Sequence, residues 1–254
     1  EEGKLRLISF EDSGGSFGIK QAIMPMIILT CLASKLSNRQ VIWVEDRLEH
    51  LTAASSATGR LTKLRASINE RGLIEALDYD QIDDVGAYPR APEPASLYRM
   101  HGNLSGAYKV KNIRCRNRVV LTNKTPSGLN RGFGGPQHYF ALERLVHQIA
   151  VELDLNVLDV IKVNLLEKKQ FPYKSPSGAL LDSGDFQKLV RKVVKSSTYK
   201  NILKKKNNAI KNGKIYGIGY SAIIEPSISN MGYVTTALPY KDREKTGHKG
   251  GALA

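Results

Sequence analysis

The stretch Asp12-Ser13-Gly14-Gly15-Ser16-Phe17-Gly18-Ile19-Lys20 constrains this chain more than any other. It separates a strand-like run over residues 5–10 from an apolar run over residues 22–36 that reads as a buried helix. A glycine-rich turn between strand and helix gathers bare backbone N–H groups at the positive end of a helix dipole, which suits a phosphate or another oxyanion. Glycine lets the chain turn tightly and lets a ligand approach the main chain. A second stretch of the same kind, Asn130-Arg131-Gly132-Phe133-Gly134-Gly135-Pro136-Gln137, follows more than a hundred residues later. Two Gly-Phe-Gly loops, each leading into a helix, point to one ligand gripped from two sides.

The 254 residues allow one large domain or two small ones. The longest apolar run is broken by Pro25, Thr30 and Ser34, so no membrane span is expected. Glu1-Glu2 stands where a secretory leader carries basic residues. Cys31 and Cys115 are too few for a four-thiolate iron–sulfur or zinc site. Cys31, set among Ile27, Ile28, Leu29 and Leu32, reads as a buried core thiol, and the whole as a reduced, cytoplasmic protein. The formal charge is +14, and residues 188–214 hold ten Lys or Arg with no Asp or Glu. A solvated helical face is the first reading of that segment, an acidic partner subunit the second, and nucleic acid the last. Only Tyr199 interrupts the lysines, where a nucleic-acid surface would add aromatic platforms.

Residues 40–44, rich in β-branched side chains, read as a second strand closed by Glu45-Asp46-Arg47. The opening then reads β–α–β, and taken alone it suits a dinucleotide-binding unit with Glu45 or Asp46 as the ribose acid. The acid, however, lies about thirty residues past the glycines instead of the usual ~20. Runs 61–68 and 73–82 alternate apolar and polar residues around the turn signal Asn69-Glu70-Arg71-Gly72, which predicts an antiparallel hairpin. The second of these strands is expected to continue through Asp84-Val85-Gly86-Ala87-Tyr88 to Pro89, Pro92 and Pro94. Another strand, with arginines facing outward, is expected over 113–121. The clearest helix is 139–153, with Phe140, Leu142, Leu145, Val146 and Ile149 as one stripe. A shorter helix over 157–166, a loop over 171–183, a basic helix over 186–194 and a late strand over 216–224 complete the reading. The last thirty residues offer little that could pack.

With both loops located, the order of signals resembles the large, molybdenum-binding subunit of the molybdenum hydroxylases, the xanthine dehydrogenase/aldehyde oxidase/carbon monoxide dehydrogenase family. The resemblance rests on Gly14-Gly15-Ser16-Phe17-Gly18-Ile19-Lys20, Trp43-Val44-Glu45-Asp46-Arg47, Asp84-Val85-Gly86-Ala87-Tyr88 and Thr122-Asn123-Lys124-Thr125-Pro126. It continues through Arg131-Gly132-Phe133-Gly134-Gly135-Pro136-Gln137, Ala141-Leu142-Glu143-Arg144 and Asp182-Ser183-Gly184-Asp185, collinear over nearly the whole chain. The resemblance implies molybdenum held by a molybdopterin dithiolene, in a dinucleotide form, so no side-chain metal ligands are expected. It implies that Gly15, Ser16, Phe17 and Gly18 in the first loop, and Arg131 and Gly132 in the second, bind the cofactor. The N–H groups of Phe17 and Gly18 would face it. Phe133 falls where the family sets a ring against the substrate, and Gln21, Arg99 and Asn130 complete the implied pocket. Gln21 replaces an acid there, Asn130 an aromatic, and Ser16 a glycine. The structural alternatives are core phenylalanines at Phe17 and Phe133 and a surface arginine at Arg131.

The family's catalytic base, a glutamate in a Gly-x-Gly-Glu context, has no counterpart in these residues, and no catalytic residue is assigned. Glu225 precedes Pro226 and matches a non-catalytic signal. The upstream glutamine loop, the segments that bind the pterin tail and the active-site cysteine loop of the carbon monoxide dehydrogenases are also missing. The chain therefore resembles the middle third of a large subunit, with an incomplete cofactor cage. The implied partners are the remaining large-subunit polypeptide, an iron–sulfur subunit and a flavin (FAD) subunit. The expected class is α+β, mixed sheets with packed helices. Residues 1–187 would form a partial molybdopterin-binding domain, and residues 188–254 a basic helical extension opening a following subdomain. Two other readings stand beside this one, a dinucleotide-binding oxidoreductase unit and a non-catalytic assembly module with a basic face.

Overall fold

The structure is a computed structural model that describes residues 6, 8, 10–90 and 99–224, apart from the side chains of Gln21, Ala22 and Arg99. Its centre is a hairpin. Strands β1 (Gly59–Ile68) and β2 (Ile74–Asp84) pair antiparallel from Gly59↔Asp84 to Ser67↔Ala76, with a register shift at Ile68. Asn69 builds the turn, its Oδ1 accepting the N–H groups of Arg71 at 3.0 Å and Leu73 at 3.1 Å, and Gly72 supplies a φ of +72°. Strand β3 (Asn112–Val120) adds to β2 in parallel, from Ala76↔Asn112 to Asp84↔Val120. The sheet is thus mixed, in the order β1-β2-β3. A parallel pair needs a long crossover. Here it contains the 3₁₀ turn Arg99–Asn103 and drives Met100, Leu104, Tyr108 and Val110 into the core.

Helix α3 (Gly135–Glu152) lies on the inner face of the sheet, packed against the shorter α4 (Val157–Asn164). Tyr139, Leu142, Val146 and Ile149 of α3 meet Ile74, Leu77 and Tyr79 of β2 and Val160 and Ile161 of α4. Asn164 fastens α4 to the hairpin. Its Oδ1 accepts the Ile74 N–H at 2.8 Å, and its Nδ2 donates to Gly72 O at 2.8 Å and Val160 O at 2.8 Å. The mixed sheet with packed helices agrees with the α+β expectation.

Several local expectations fail for identifiable reasons. The apolar run forms a 3₁₀ turn, Ile19–Ile23, and then α1 (Met24–Ser37), in which no residue is buried and Cys31 is exposed. Its hydrophobicity is real, but the described residues do not cover it. Residues 40–44 form no ladder, because no described strand lies beside them, so the β–α–β unit is absent among the described residues. They lead instead into α2 (Arg47–Ala53), which Asp46 and Glu49 start with a reciprocal capping box. Strand β2 stops at Asp84, where Gly86 turns the chain at a φ of +75°. Phe140 is 73% exposed, since one residue past Tyr139 lies about 100° around the helix. Helix α4 ends at Asn164 and not at Leu166. The 171–183 loop contains a small antiparallel pair, β4 (Tyr173–Lys174) and β5 (Leu180–Leu181). The basic segment forms two helices, α5 (Phe186–Lys195) and α6 (Ser197–Lys211).

The late strand is also a correction. Residues 214–224 make no ladder and run as an extended strap over α3. Ala222 N–H donates to Glu143 Oε2 at 2.9 Å, His147 Nε2 meets Tyr220 O at 2.7 Å, and the Tyr139 hydroxyl donates to Ile224 O. The expected first strand (residues 5–10) lies largely outside the described residues, and Pro92, Pro94, Glu225 and the last thirty residues lie wholly outside them.

Candidate functional site

The two glycine loops meet. Gly18 takes a φ of +99°, and a Cβ on it would stand 3.1 Å from Leu129 O and 3.2 Å from Leu129 C. Only glycine lets the first loop approach the residues leading into the second this closely. Across the same junction the Arg131 guanidinium lies 6.0 Å from the centre of the Phe17 ring, within cation–π range. Phe17 itself sits at a φ of +52°, an unusual conformation for a large side chain, and is 63% exposed.

Residues 55–58 hold the loops in this relation. Ser55 Oγ donates to Ile19 O at 3.5 Å, Ser56 bridges to Ser127, and Gly128 N donates to Ser56 O at 3.0 Å. Farther along, Gln137 Nε2 donates to Thr58 O at 2.8 Å. The lead-in to β1 therefore clamps the exit of the first loop and both ends of the second.

Each loop has its own internal wiring. Ser16 accepts twice, at its Oγ from Gly18 N at 3.2 Å and at its carbonyl from Ile19 N at 3.1 Å. The Gly18 N–H, expected to face a cofactor, is thus engaged by the side chain that stands in place of a glycine. Gly15 is exposed, with only the Phe17 ring near it, and Gly14 has nothing within 4 Å of where a Cβ would be. In the second loop, Phe133 N donates to Asn130 O at 2.8 Å and Gly135 N to Gly132 O at 2.7 Å. Gly132 and Gly134 take φ values of +86° and +83°. Helix α3 then starts with no side chain capping its first turn. The first loop enters α1 only after the 3₁₀ turn, so an aligned helix start lies behind the second loop alone.

Other expected residues fall differently. Gln21 lies within the 3₁₀ turn that leaves the first loop, with its side chain outside the described set. Arg99 opens the turn Arg99–Asn103, where Gly102 O accepts Ala179 N at 2.7 Å and Ser175 Oγ at 3.0 Å. Those bonds tie the turn to the β4–β5 pair and not to either glycine loop. A groove of about 750 Å³ runs from Gly132 and Pro136 past Phe140 to the 217–223 strap. A smaller pocket of about 210 Å³ lies below the first loop between Ile19, Lys20, Trp43 and Arg90.

Behind the second loop lies a buried polar cluster that sequence reasoning missed. Arg60 grips Asp83 with Nε–Oδ1 at 2.6 Å and Nη2–Oδ2 at 2.9 Å, and Asn117 Nδ2 donates to Asp83 Oδ2 at 2.7 Å. His138, immediately after the loop, stacks on Tyr79 with ring centres 5.7 Å apart. Burial, then the Arg60 charge, then His101 push its pKa down to about 3, so the imidazole stays neutral. Gln137 Oε1 is buried without a partner. Glu143 is a second missed residue. It accepts the Tyr108 hydroxyl at 2.9 Å, and burial raises its pKa. A signal for Glu143 was available, since it falls four residues after Tyr139 and three before Val146, on the buried stripe. Arg60 and Asp83, by contrast, are joined only by cross-strand register.

Among the described residues no group of three or more His, Cys, Asp or Glu side chains could hold a metal, and no helix is long and apolar enough to cross a membrane. A family model described as the molybdopterin cofactor-binding domain matches residues 1–165. The chain is 28% identical over 235 residues to the nicotine 6-hydroxylase large subunit of Paenarthrobacter nicotinovorans, across 91% of this chain and 28% of that protein. It is 30% identical over 204 residues to the carbon monoxide dehydrogenase large chain of Hydrogenophaga pseudoflava, across 78% of this chain and 25% of that one. Quinoline 2-oxidoreductase from Pseudomonas putida 86 superposes with a TM-score of 0.73 at 28% identity, over 80% of this chain and 26% of that structure. Carbon monoxide dehydrogenase from Oligotropha carboxidovorans gives 0.63 at 26% identity, over 80% and 26%. The chain thus spans 28% and 25% of the length of these two curated relatives. Because the matched residues run through both glycine loops and the sheet behind them, the chain belongs to the molybdopterin cofactor-binding domain family, as a segment of a molybdenum hydroxylase large subunit.

Proposed function

We propose that this chain supplies part of the molybdopterin cage of a hydroxylase that oxidises an aldehyde or N-heterocycle with water as the oxygen source. The observation that carries the reading is the junction of the two loops, with Gly18 against Leu129 and Arg131 over Phe17. The residues fit such a group. The backbone at Gly14 is open, α3 begins uncapped behind the second loop, and Gln137 Oε1 is buried without a partner. When bound, the molybdenum–pterin group supplies two-electron oxidation of a substrate carbon.

In this reading Gly15, Ser16, Phe17, Gly18, Arg131 and Gly132 hold the cofactor. The Phe17 N–H stands ready as a donor, and that of Gly18 becomes one when the Ser16 hydroxyl rotates away. Phe133, Asn130, Gln21 and Arg99 would border the substrate. The remaining large-subunit polypeptide would close the cage and bring the general base. Iron–sulfur and FAD-bearing subunits would take the electrons, and the assembly would work in the cytoplasm. Division of the chain near residue 187 into a cofactor-binding part and a basic extension belongs to the same proposal.

The test is molybdenum and pterin analysis of the protein purified with its native partners. Near-stoichiometric metal in the wild type, lost on Arg131→Ala with the complex intact, is the expected result. A native complex free of molybdenum and pterin overturns the reading.

A further inference from the structure

The outer face of the sheet, turned away from α3, is a ladder of arginines standing on carboxylates. Asp78 accepts Arg65 of β1 (Nη2–Oδ2, 2.5 Å) and Arg114 of β3 (Nε–Oδ1 and Nη2–Oδ2, both 2.7 Å). Asp80 accepts Arg116 (Nη2–Oδ2, 2.5 Å) and Arg118 (Nη2–Oδ1, 2.7 Å), and Lys63 stands opposite it in register. Five cations thus face two carboxylates. The acids are largely covered, whereas the guanidinium groups are half to three-quarters exposed. Hydrogen bonds from Arg114 and then Arg65 hold Asp78 well below the usual carboxylate range, so the ladder stays charged at working pH.

This is more than a solvated face requires. Long, flexible lysines suffice for that, and α5 and α6 carry them. Here planar guanidinium forks are held upright by paired acids, so less side-chain freedom remains to be lost when an anion arrives. Beside the ladder, β3 pairs with β2 on one side and with no described strand on the other. Arg114, Arg116 and Arg118 alternate along that open edge, about 6.6 Å apart. A groove of about 680 Å³ bounded by Arg65, Lys111, Arg114 and Pro176 opens at one end of the same face.

The charge pattern selects the occupant. A second copy of β3 would set arginine against arginine, so self-pairing is disfavoured. Single-stranded nucleic acid would call for aromatic platforms, and the outward positions of these strands carry none. An added strand with Asp or Glu at alternate positions satisfies both the open backbone groups and the guanidinium forks. We propose that the open edge of β3 and its arginine ladder dock an extended acidic segment of another polypeptide.

The test titrates the full chain with a synthetic peptide of about ten residues alternating Glu and Thr. Expected are saturable binding, a fall in affinity of about tenfold or more in the triple variant Arg114→Gln/Arg116→Gln/Arg118→Gln, and steep weakening as salt rises. Amide exchange should slow along β3. No binding, undiminished binding by the triple variant, or equal competition by oligo-dT of the same length overturns the proposal. Should the triple variant fail to fold, the footprint on the wild type decides: protection along β3 supports the proposal, and protection confined to α5 and α6 overturns it.

Discussion

Replacing Gly18 with alanine asks whether the two glycine loops are one structure. The backbone there, at φ +99° and ψ −22°, costs an L-residue about 1–2 kcal/mol. The new methyl would also stand 3.1 Å from Leu129 O and 3.2 Å from Leu129 Cβ, inside the ordinary contact distance of about 3.5–4.0 Å. One loop must therefore yield by a few tenths of an ångström. The second has little freedom to do so, because Ser127 N is bonded to Val85 O at 3.0 Å and Gly128 N to Ser56 O at 3.0 Å. Overpacking of this kind costs about 1–3 kcal/mol, so the combined strain is about 2–5 kcal/mol.

That strain falls on the junction and not on the core around Tyr79 and Leu142. Amide exchange over residues 16–23 and 128–134 should accelerate by roughly 30-fold to several thousand-fold, and the unfolding free energy from urea melts should fall by no more than the strain itself, about 2–5 kcal/mol. Gly14→Ala is the matched control, since its methyl would meet nothing within 4 Å, and it should leave both measurements unchanged. Unaltered exchange over 128–134 in Gly18→Ala would refute the apposition of the loops. So would an equal effect from Gly14→Ala.

Asn164→Ala strips partners from the Ile74 N–H and the Gly72 carbonyl inside the core, and should lower unfolding stability by about 3 kcal/mol in urea melts. Arg60→Ala leaves Asp83 buried without its guanidinium and should cost about 3–5 kcal/mol. Arg114→Ala, at a pair open to solvent, should leave the urea midpoint nearly unchanged, so an effect equal to that of Arg60→Ala would undo the distinction between the buried and the exposed ion pairs. His138 has a folded pKa of about 3 against 6.5 when unfolded, so the folded state binds fewer protons and stability is lost as pH falls below 6.5. By pH 5 the loss from His138 alone is about 2 kcal/mol. Denaturation of His138→Phe across that range should show a shallower acid limb, and an unchanged slope would mean that the imidazole is not held neutral.

What could be read from the sequence divides along the range of the interactions. The hairpin was legible because alternation over β1 and β2 and the Asn69–Gly72 turn are local signals, and the Asn69 side chain closes that turn. Helix α3 was legible from its stripe, except at Phe140, whose hydrophobicity does not set which way it faces. The parallel pairing of β3 was not legible, since a crossover sets it and not a turn. Residues 40–44 show the limit of propensity. Their β-branched side chains suit a strand, but no described strand lies beside them. Helix α1 shows the same for burial, because an apolar sequence states what a helix would bury and not whether the cover is present.

The site divides in the same way. Both loops announced themselves through glycine, and four of their residues do take positive φ: Phe17, Gly18, Gly132 and Gly134. What brings the loops together has no such signature. Ser55, Ser56 and Thr58 carry no motif, yet Ser55 and Thr58 are buried, and a Cβ on Gly128 would stand 2.7 Å from that of Ser55. Small residues are required on both sides of that contact, and smallness is not a pattern that periodicity detects. The alignment of the candidate site therefore depends on the few residues entering β1. Motifs located the two halves of the grip, but the clamp between them had to be read from the fold.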